Sequence, residues 1–231
     1  RASDGNGGFA DASISVTVTP VNDVPAIDLN ASTAGTGNNS TYTEGDSPVL
    51  VANGDAAAFD VEDQIIGLDI SLAGFVDGSA ERIHLNGAVD IIYGTASSGT
   101  IDFGGTTFAF TYDGANGLHF ENAAGAVVPM TGSAVSALVR ALQYDNTSDN
   151  PTSGARTLSF IVTDAEGATS STAVATIAVA PVNDNPIAVD DTAATGENTP
   201  LAGAVPGVLG NDRDPEGDAL TVTAVNGGAV G

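Results

Sequence analysis

The heptapeptide Thr19-Pro20-Val21-Asn22-Asp23-Val24-Pro25 returns 161 residues later as Ala180-Pro181-Val182-Asn183-Asp184-Asn185-Pro186. The lead-ins also match: Asp4-Gly5-Asn6-Gly7 and an alternating run come before the first copy, Asp164-Ala165-Glu166-Gly167 and an alternating run before the second. The two lead-in aspartates are 160 apart, so one register slip separates the copies. A repeat at this distance constrains the architecture before any residue is assigned to a strand or helix. It predicts the tail of one unit over residues 1–23, a complete unit over 24–184 and the start of a third over 185–231, a slice of a longer array. Proline on both sides of Val-Asn-Asp removes ladder amides and biases its predecessor toward extended geometry, so each copy reads as a stiff connector between domains.

Between and before the connectors the dominant period is two. Ile14, Val16 and Val18 alternate with Ser and Thr; so do Leu158, Phe160 and Val162, then Ala175, Ile177 and Val179, while Phe108, Phe110 and Tyr112 repeat the pattern in the middle. These are predicted half-buried strands. Asn86-Gly87, Gly104-Gly105, Asp113-Gly114 and Asn116-Gly117 supply closely spaced turns, as an antiparallel Greek-key β-sandwich requires. One stretch breaks the period: between Thr131 and Leu142, the apolar Val135, Leu138, Val139 and Leu142 fall at helical spacing. This predicts a single amphipathic helix, capped by Thr131 or Ser133, that plugs the sandwich. A unit of about 160 residues buries roughly two-thirds of its unfolded surface, enough for a core without disulfide staples, and the chain has no Cys.

Charge narrows the partners. The chain carries 29 Asp and Glu against 5 Arg and no Lys, a formal charge of −24. Nucleic acid and anionic membrane both demand clustered cations, so neither is an expected partner. No apolar run approaches the length of a membrane span and nothing resembles a signal peptide, so export is expected to depend on sequence outside this segment. Without Cys, and with His84 and His119 as the only histidines, thiolate and histidine-rich metal sites are out of reach.

The acids cluster in three groups that a sandwich would bring to its ends. The first is the connector, Asn183-Asp184-Asn185. The second is Asp212-Arg213-Asp214-Pro215-Glu216-Gly217-Asp218, whose counterpart in the complete unit is Asp60-Val61-Glu62-Asp63. The third is Glu44 near the start of the unit and Asp145 after the helix. Hard oxygen ligands without His or Cys select Ca2+, which takes six to eight carboxylate, amide and carbonyl oxygens in loose geometry. Carboxylates about 6 Å apart repel by on the order of 3 kcal/mol at an effective dielectric of 20, so a junction of several would splay without a counter-ion.

The connector, the strand end Val162-Thr163-Asp164-Ala165-Glu166-Gly167, the loop Asn211–Asp218 and the stretch Leu142–Pro151 together resemble the cadherin-like repeats of large bacterial surface adhesins. Many of those are secreted by type I systems alongside RTX repeats. The resemblance covers nearly the whole chain. It implies cadherin- or Ig-like domains with Ca2+ between them, held at the second junction by Asn183, Asp184, Asn185, Glu44, Asp145, Asp212 and Asp214. At the first junction it implies Asn22, Asp23, Asp60, Glu62 and Asp164. Pro181 and Pro20 stand where animal cadherin linkers carry an Asp, and Val24 replaces the final Asn of the first connector. Fewer or weaker ions, and a better second junction than first, follow from those departures. The unit is also longer than a cadherin domain, with the helix and residues around 75–130 as additions.

Duller and rival readings bound this one. Asp and Asn at strand ends cap turns through their own side chains. Asp212–Gly217 imitates the opening of an EF-hand but has Thr223 at position 12, where the bidentate Glu belongs. His84 and His119 read as strand or surface residues, and Asp69, Asp77, Glu81, Asp90 and Asp102 as acids that keep a lysine-free surface hydrated. Four sequons, at Asn30, Asn38, Asn39 and Asn146, are expected by chance in so Asn- and Thr-rich a chain. Carboxylate pairs could serve glycoside hydrolysis, but the chain has no Trp for an aromatic-lined cleft and no nucleophile motif, so no enzyme is expected. The alternative is a Ca2+-dependent sugar- or peptide-binding module in the long 24–184 unit, with a cell-surface glycan or protein as its partner; the primary expectation is a spacer whose partners are calcium and neighbouring repeats.

Overall fold

A computed structural model describes the chain except for residues 86, 88, 202, 204–206, 226, 227, 230 and 231, so the expected Asn86 turn position lies outside the described residues. The chain opens with a hairpin of β1 (Ala2–Ser3) and β2 (Phe9–Ala10), turned by Asp4, whose Oδ1 accepts the amides of Asn6 and Gly8 at 2.9 Å each. The expected strand at Ile14, Val16 and Val18 is absent: residues 11–25 have no regular structure, and those side chains are 89%, 77% and 82% exposed. Alternation alone does not make a strand, because ladder bonds and a covered face come from neighbours.

The main body runs β3 (Ala26–Asp28), β4 (Asn38–Thr43), β5 (Val49–Leu50), β6 (Ala57–Phe59), β7 (Ile65–Ala73), β8 (Glu81–Leu85), β9 (Val89–Ile92), β10 (Ser97–Phe103), β11 (Thr106–Tyr112), β12 (Gly117–Asn122), α1 (Gly132–Ala141), β13 (Leu142–Asn146), β14 (Gly154–Asp164) and β15 (Ala173–Ala180). A seven-stranded sheet, β10-β11-β12-β7-β14-β15-β4, and a four-stranded sheet, β5-β13-β8-β9, enclose one core, with β3-β6 as a separate pair. The region expected as an addition is woven in: β8 and β9 belong to the smaller sheet, and β10 to β12 to the larger. After β15 come an isolated bridge between Ile187 and Arg213 and a hairpin of β16 (Ala224–Val225) and β17 (Gly228–Ala229).

The period-two pattern sets the faces. Leu158, Phe160 and Val162 on β14 and Leu68, Ile70 and Leu72 on β7 point inward, each side chain contributing about 1.5–3 kcal/mol on burial. Tyr144 of β13 meets Tyr42 of β4 edge-on at 5.5 Å, joining the two sheets. The helix forms where expected, with Thr131 Oγ1 accepting Ala134 N at 3.2 Å and Val135, Leu138 and Val139 buried. It packs on β6, where Ser136 Oγ accepts Ala58 N at 2.8 Å. Gly132 allows this approach, since a Cβ there would lie 2.6 Å from Ala58 O.

The antiparallel sandwich includes one parallel pair among the described strands. β15 and β4 pair in parallel, Ala175 opposite Asn38 and Ala180 opposite Thr43. The strand entering the sheet edge and the strand leaving it therefore finish at the same end, which places Glu44 beside the departing connector.

Of the acids assigned to the surface, Glu81 lies inside and Asp77 is half-buried beside it. Glu81 is 0% exposed and pairs with Arg156, itself 1% exposed, while Asp77 accepts Arg156 Nη2 at 2.9 Å. Glu81 also accepts the Tyr144 hydroxyl and the amides of Val76 and Asp77. Burial opposes the Asp77 charge, yet bonds from Thr152 and Asn146 and the nearby guanidinium outweigh it and hold its carboxyl below the usual range. Burial, then Glu81, pushes the Tyr144 hydroxyl up. With five arginines and no Lys, nothing in the sequence marks the partner of each acid; β14 happens to turn Arg156 inward.

Candidate cation site at the connectors

Both connectors make the same contacts with the acidic loop downstream. Asp23 N donates to Glu62 Oε2 at 3.4 Å, and Asp184 N donates to Glu216 Oε2 at 3.3 Å. Three residues beyond each Asp the chain pairs with the residue just before the Asp that opens the turn of the acidic loop, Ala26 with Phe59 before Asp60 and Ile187 with Arg213 before Asp214. The loops are built alike. The Asp60 carbonyl accepts Asp63 N at 3.1 Å and its Oδ2 accepts Gln64 N at 2.7 Å; the Asp214 carbonyl accepts Gly217 N at 3.1 Å and its Oδ1 accepts Asp218 N at 3.1 Å. The fourth residue of each loop takes positive φ, 56° at Asp63 and 80° at Gly217, a region open to Gly and tolerated by Asp. The hydrogen bonds thus align Asp60 with Asp214 and Glu62 with Glu216.

At the second connector the sandwich contributes a third acid. Glu44 N donates to Ala180 O at 3.0 Å, and Glu44 Oε2 accepts Val182 N at 2.8 Å. One carboxylate oxygen each from Glu44, Asp184 and Glu216 lies within 4.8 Å of the others. At that spacing each like-charged pair costs on the order of 3 kcal/mol at an effective dielectric of 20. Glu44 Oε1 and Glu216 Oε1 are moreover buried and accept no hydrogen bond, as is Asp60 Oδ1 beside the first connector. Desolvated carboxylate oxygens without donors are costly, and three convergent hard oxygens are ligands of the kind calcium takes, about half of the six to eight it needs. The donor set therefore fits Ca2+.

The remaining candidates are placed differently. Asp164 is fully buried and meets the first connector directly: Asn22 Nδ2 donates to its Oδ2 at 2.9 Å, and the amides of Glu166 and Ala168 to its Oδ1 at 3.0 and 2.7 Å. Burial works against its charge, but these bonds prevail and keep its carboxyl below the usual range. Asp63 Oδ1 accepts Gly132 N at 2.7 Å, which commits it to the start of α1. Asp145 faces His84 Nε2 at 3.3 Å, and the other nitrogen of His84 faces Asp90 at 2.6 Å, so this histidine is clamped between strands rather than open to solvent. His119 contacts Asp69 at 2.7 Å on an accessible face. Asp212 Oδ1 accepts Val189 N at 2.8 Å, Asn183 Nδ2 folds back onto Asp184 O at 2.8 Å, and Asn185 is exposed.

A cleft of ≈ 250 Å³ opens beside Glu44 and Asp184 and is walled by the turn Asn146–Asp149. The sequence marks that turn only as part of the resembling stretch Leu142–Pro151 and by its run of short polar side chains, and gives it no role.

Residues 183–231 match the bacterial Ig domain family. The match begins inside the second connector. No curated protein and no solved structure gives a match. With the two-sheet core, the fold is an Ig-like β-sandwich, and bacterial Ig-like domains are structural, typically non-catalytic modules common in surface proteins. Among the described residues no helix is long and apolar enough to cross a membrane.

Proposed function

We propose that this chain is a segment of an extracellular bacterial adhesin, built from tandem cadherin-like repeats of the RTX-associated kind, in which Ca2+ at the connectors stiffens the array and so supports cell adhesion. The observation that carries the reading is the pair of donorless buried oxygens, Glu44 Oε1 and Glu216 Oε1, on carboxylates that converge with Asp184. Glu44 precedes the connector and Glu216 lies beyond it, so a shared ion would tie together the chain on either side. The unit boundaries proposed are 24–184 for the complete repeat, with residues 1–23 and 185–231 belonging to its neighbours. Matching hydrogen bonds at the two connectors support that division. Calcium would supply the positive charge that converts mutual carboxylate repulsion into attraction; Glu44, Asp184 and Glu216 would hold it at the second connector, with Glu62 and Asp60 as the corresponding acids at the first. The lysine-free surface, with 29 acids, suits an extended secreted array that must not aggregate.

Calorimetric titration of calcium into the chain, with and without Asp184→Ala, tests the site. The variant is expected to lose the tighter binding event. Small-angle scattering tests the consequence: the maximum dimension should differ between excess calcium and chelator, and equality would sink the spacer reading. Glycan-array binding without any change in dimension would instead favour a ligand-binding module.

A further inference from the structure

We propose that the turn between Asn146 and Thr152 is a second, cation-independent clasp, which grips the loop after the second connector and is set from inside the sandwich by Asp77 and Arg156. One carboxylate pins both ends of the turn. Asp77 Oδ2 accepts Asn146 Nδ2 at 2.7 Å at one end and Thr152 N at 3.0 Å at the other. The same oxygen accepts Arg156 Nη2, which also donates to Thr152 O at 2.9 Å.

Further bonds stiffen the turn between those ends. Asn146 is buried; its carbonyl accepts the Tyr42 hydroxyl at 2.6 Å, and its Oδ1 accepts Ser148 N at 3.0 Å. Ser148 Oγ accepts Asn150 N at 3.1 Å, and Thr147 N donates to Ala80 O at 3.0 Å. Pro151 is buried and biases Asn150 toward extended geometry. The tip is thereby presented outward in a fixed pose, and it is occupied: Asn150 Nδ2 donates to Pro215 O at 3.2 Å, one residue from Glu216. The partner surface is the Asp212–Gly217 loop, gripped by a neutral amide through a backbone carbonyl, so neither calcium nor the loop's side-chain charges enter the contact.

The interaction is small and local, and its removal should be too. Loss of one hydrogen bond of this kind is expected to increase local opening by about two- to tenfold. Hydrogen exchange of the full chain in chelator, followed by mass spectrometry, reads this opening. Asn150→Ala should speed exchange by that factor at Asp184, Ile187, Arg213 and Gly217, whose amides are bonded around the connector, and leave β7, β14 and β15 unchanged. Asp77→Asn should do the same and also release the amides of Ser148 and Thr152; if that variant fails to fold, Asn150→Ala decides alone. Unchanged exchange around the connector in Asn150→Ala overturns the clasp, and so does acceleration spread evenly through the sandwich. Because chelator is present throughout, failure here leaves the calcium reading intact, and a protein that binds no calcium yet shows the local acceleration keeps the clasp while losing the ion.

Discussion

Residues 14–18 and 175–179 carry the same alternation at the same distance from the same connector, and they end in opposite surroundings. Ala175, Ile177 and Val179 are buried in β15 between β14 and β4, whereas Ile14, Val16 and Val18 are almost fully exposed and pair with nothing among the described residues. The difference lies in the neighbours. β14 offers seven residues of ladder to β15, Gly154 to Phe160, and Arg156 on that strand lies directly opposite Ile177 while its guanidinium is anchored by Glu81 and Asp77. No such partner faces Val16 among the described residues. A period-two run is thus a licence to pair; burial comes from the strands that accept it.

The comparison breaks most visibly at the anchor. Arg156→Ala leaves Glu81 charged and unpaired in the core, and a buried charge stripped of its partner costs about 3–5 kcal/mol. Urea denaturation should show that loss, with β15 amides among those that lose protection. A midpoint within error of the parent would mean that β15 is held without Arg156.

Next in size is the matched pair of strand variants. Ile177→Ala should cost about 2–4 kcal/mol as a core truncation, while Val16→Ala should stay within about 0.5 kcal/mol, as solvent-facing changes do. Equal effects would mean that residues 14–18 are packed in solution and that the two copies are alike after all.

The connectors differ as the strands do. The second gathers the carboxylates of Glu44, Asp184 and Glu216, whereas at the first Asp23 meets Glu62 and Asn22 meets Asp164, with Asp60 close by in the loop. If the second connector holds calcium as proposed, removing one carboxylate charge there, by Glu44→Gln, should weaken that binding on the order of tenfold. Glu62→Gln should leave that event unchanged in calorimetry. A reversed ranking would assign the stronger ion to the first connector.

Much of this is legible in the sequence because it is periodic or repeated. The helix over Gly132–Ala141 follows from Val135, Leu138 and Val139 at helical spacing, and the kinship of the two acidic loops follows from the doubled connector, but their register does not: the sequence matches Asp60 and Glu62 to Asp212 and Asp214, whereas the hydrogen bonds align them with Asp214 and Glu216. The hidden part depends on long-range pairing. Nothing local says that β4 runs parallel to β15, although that choice brings Glu44 to Val182. Nor does Asp77 or Glu81 differ in sequence from a surface acid until Arg156, on a distant strand, is turned toward it. Asp63 and Asp145 likewise carry the right chemistry for a metal and find other partners, a helix amide and a histidine.

The smallest expected effect separates the two connector asparagines. Asn22 Nδ2 donates to Asp164, whereas Asn183 Nδ2 donates to its own neighbour's carbonyl. Asp164 has a folded pKa below its unfolded value, so its contribution to stability is present above about pH 4 and is lost as the pH falls through the folded value. Asn22→Ala removes one donor to the carboxylate, which raises the folded pKa toward the ordinary range and should move the acid-unfolding midpoint upward by about a few tenths of a pH unit. Asn183→Ala touches no depressed carboxylate and should leave that midpoint in place. Circular dichroism from about pH 6 to about pH 2 distinguishes the two; an equal shift in both variants would show that the asparagines act through the connectors in general, and that the buried Asp164 contact confers nothing of its own on the first.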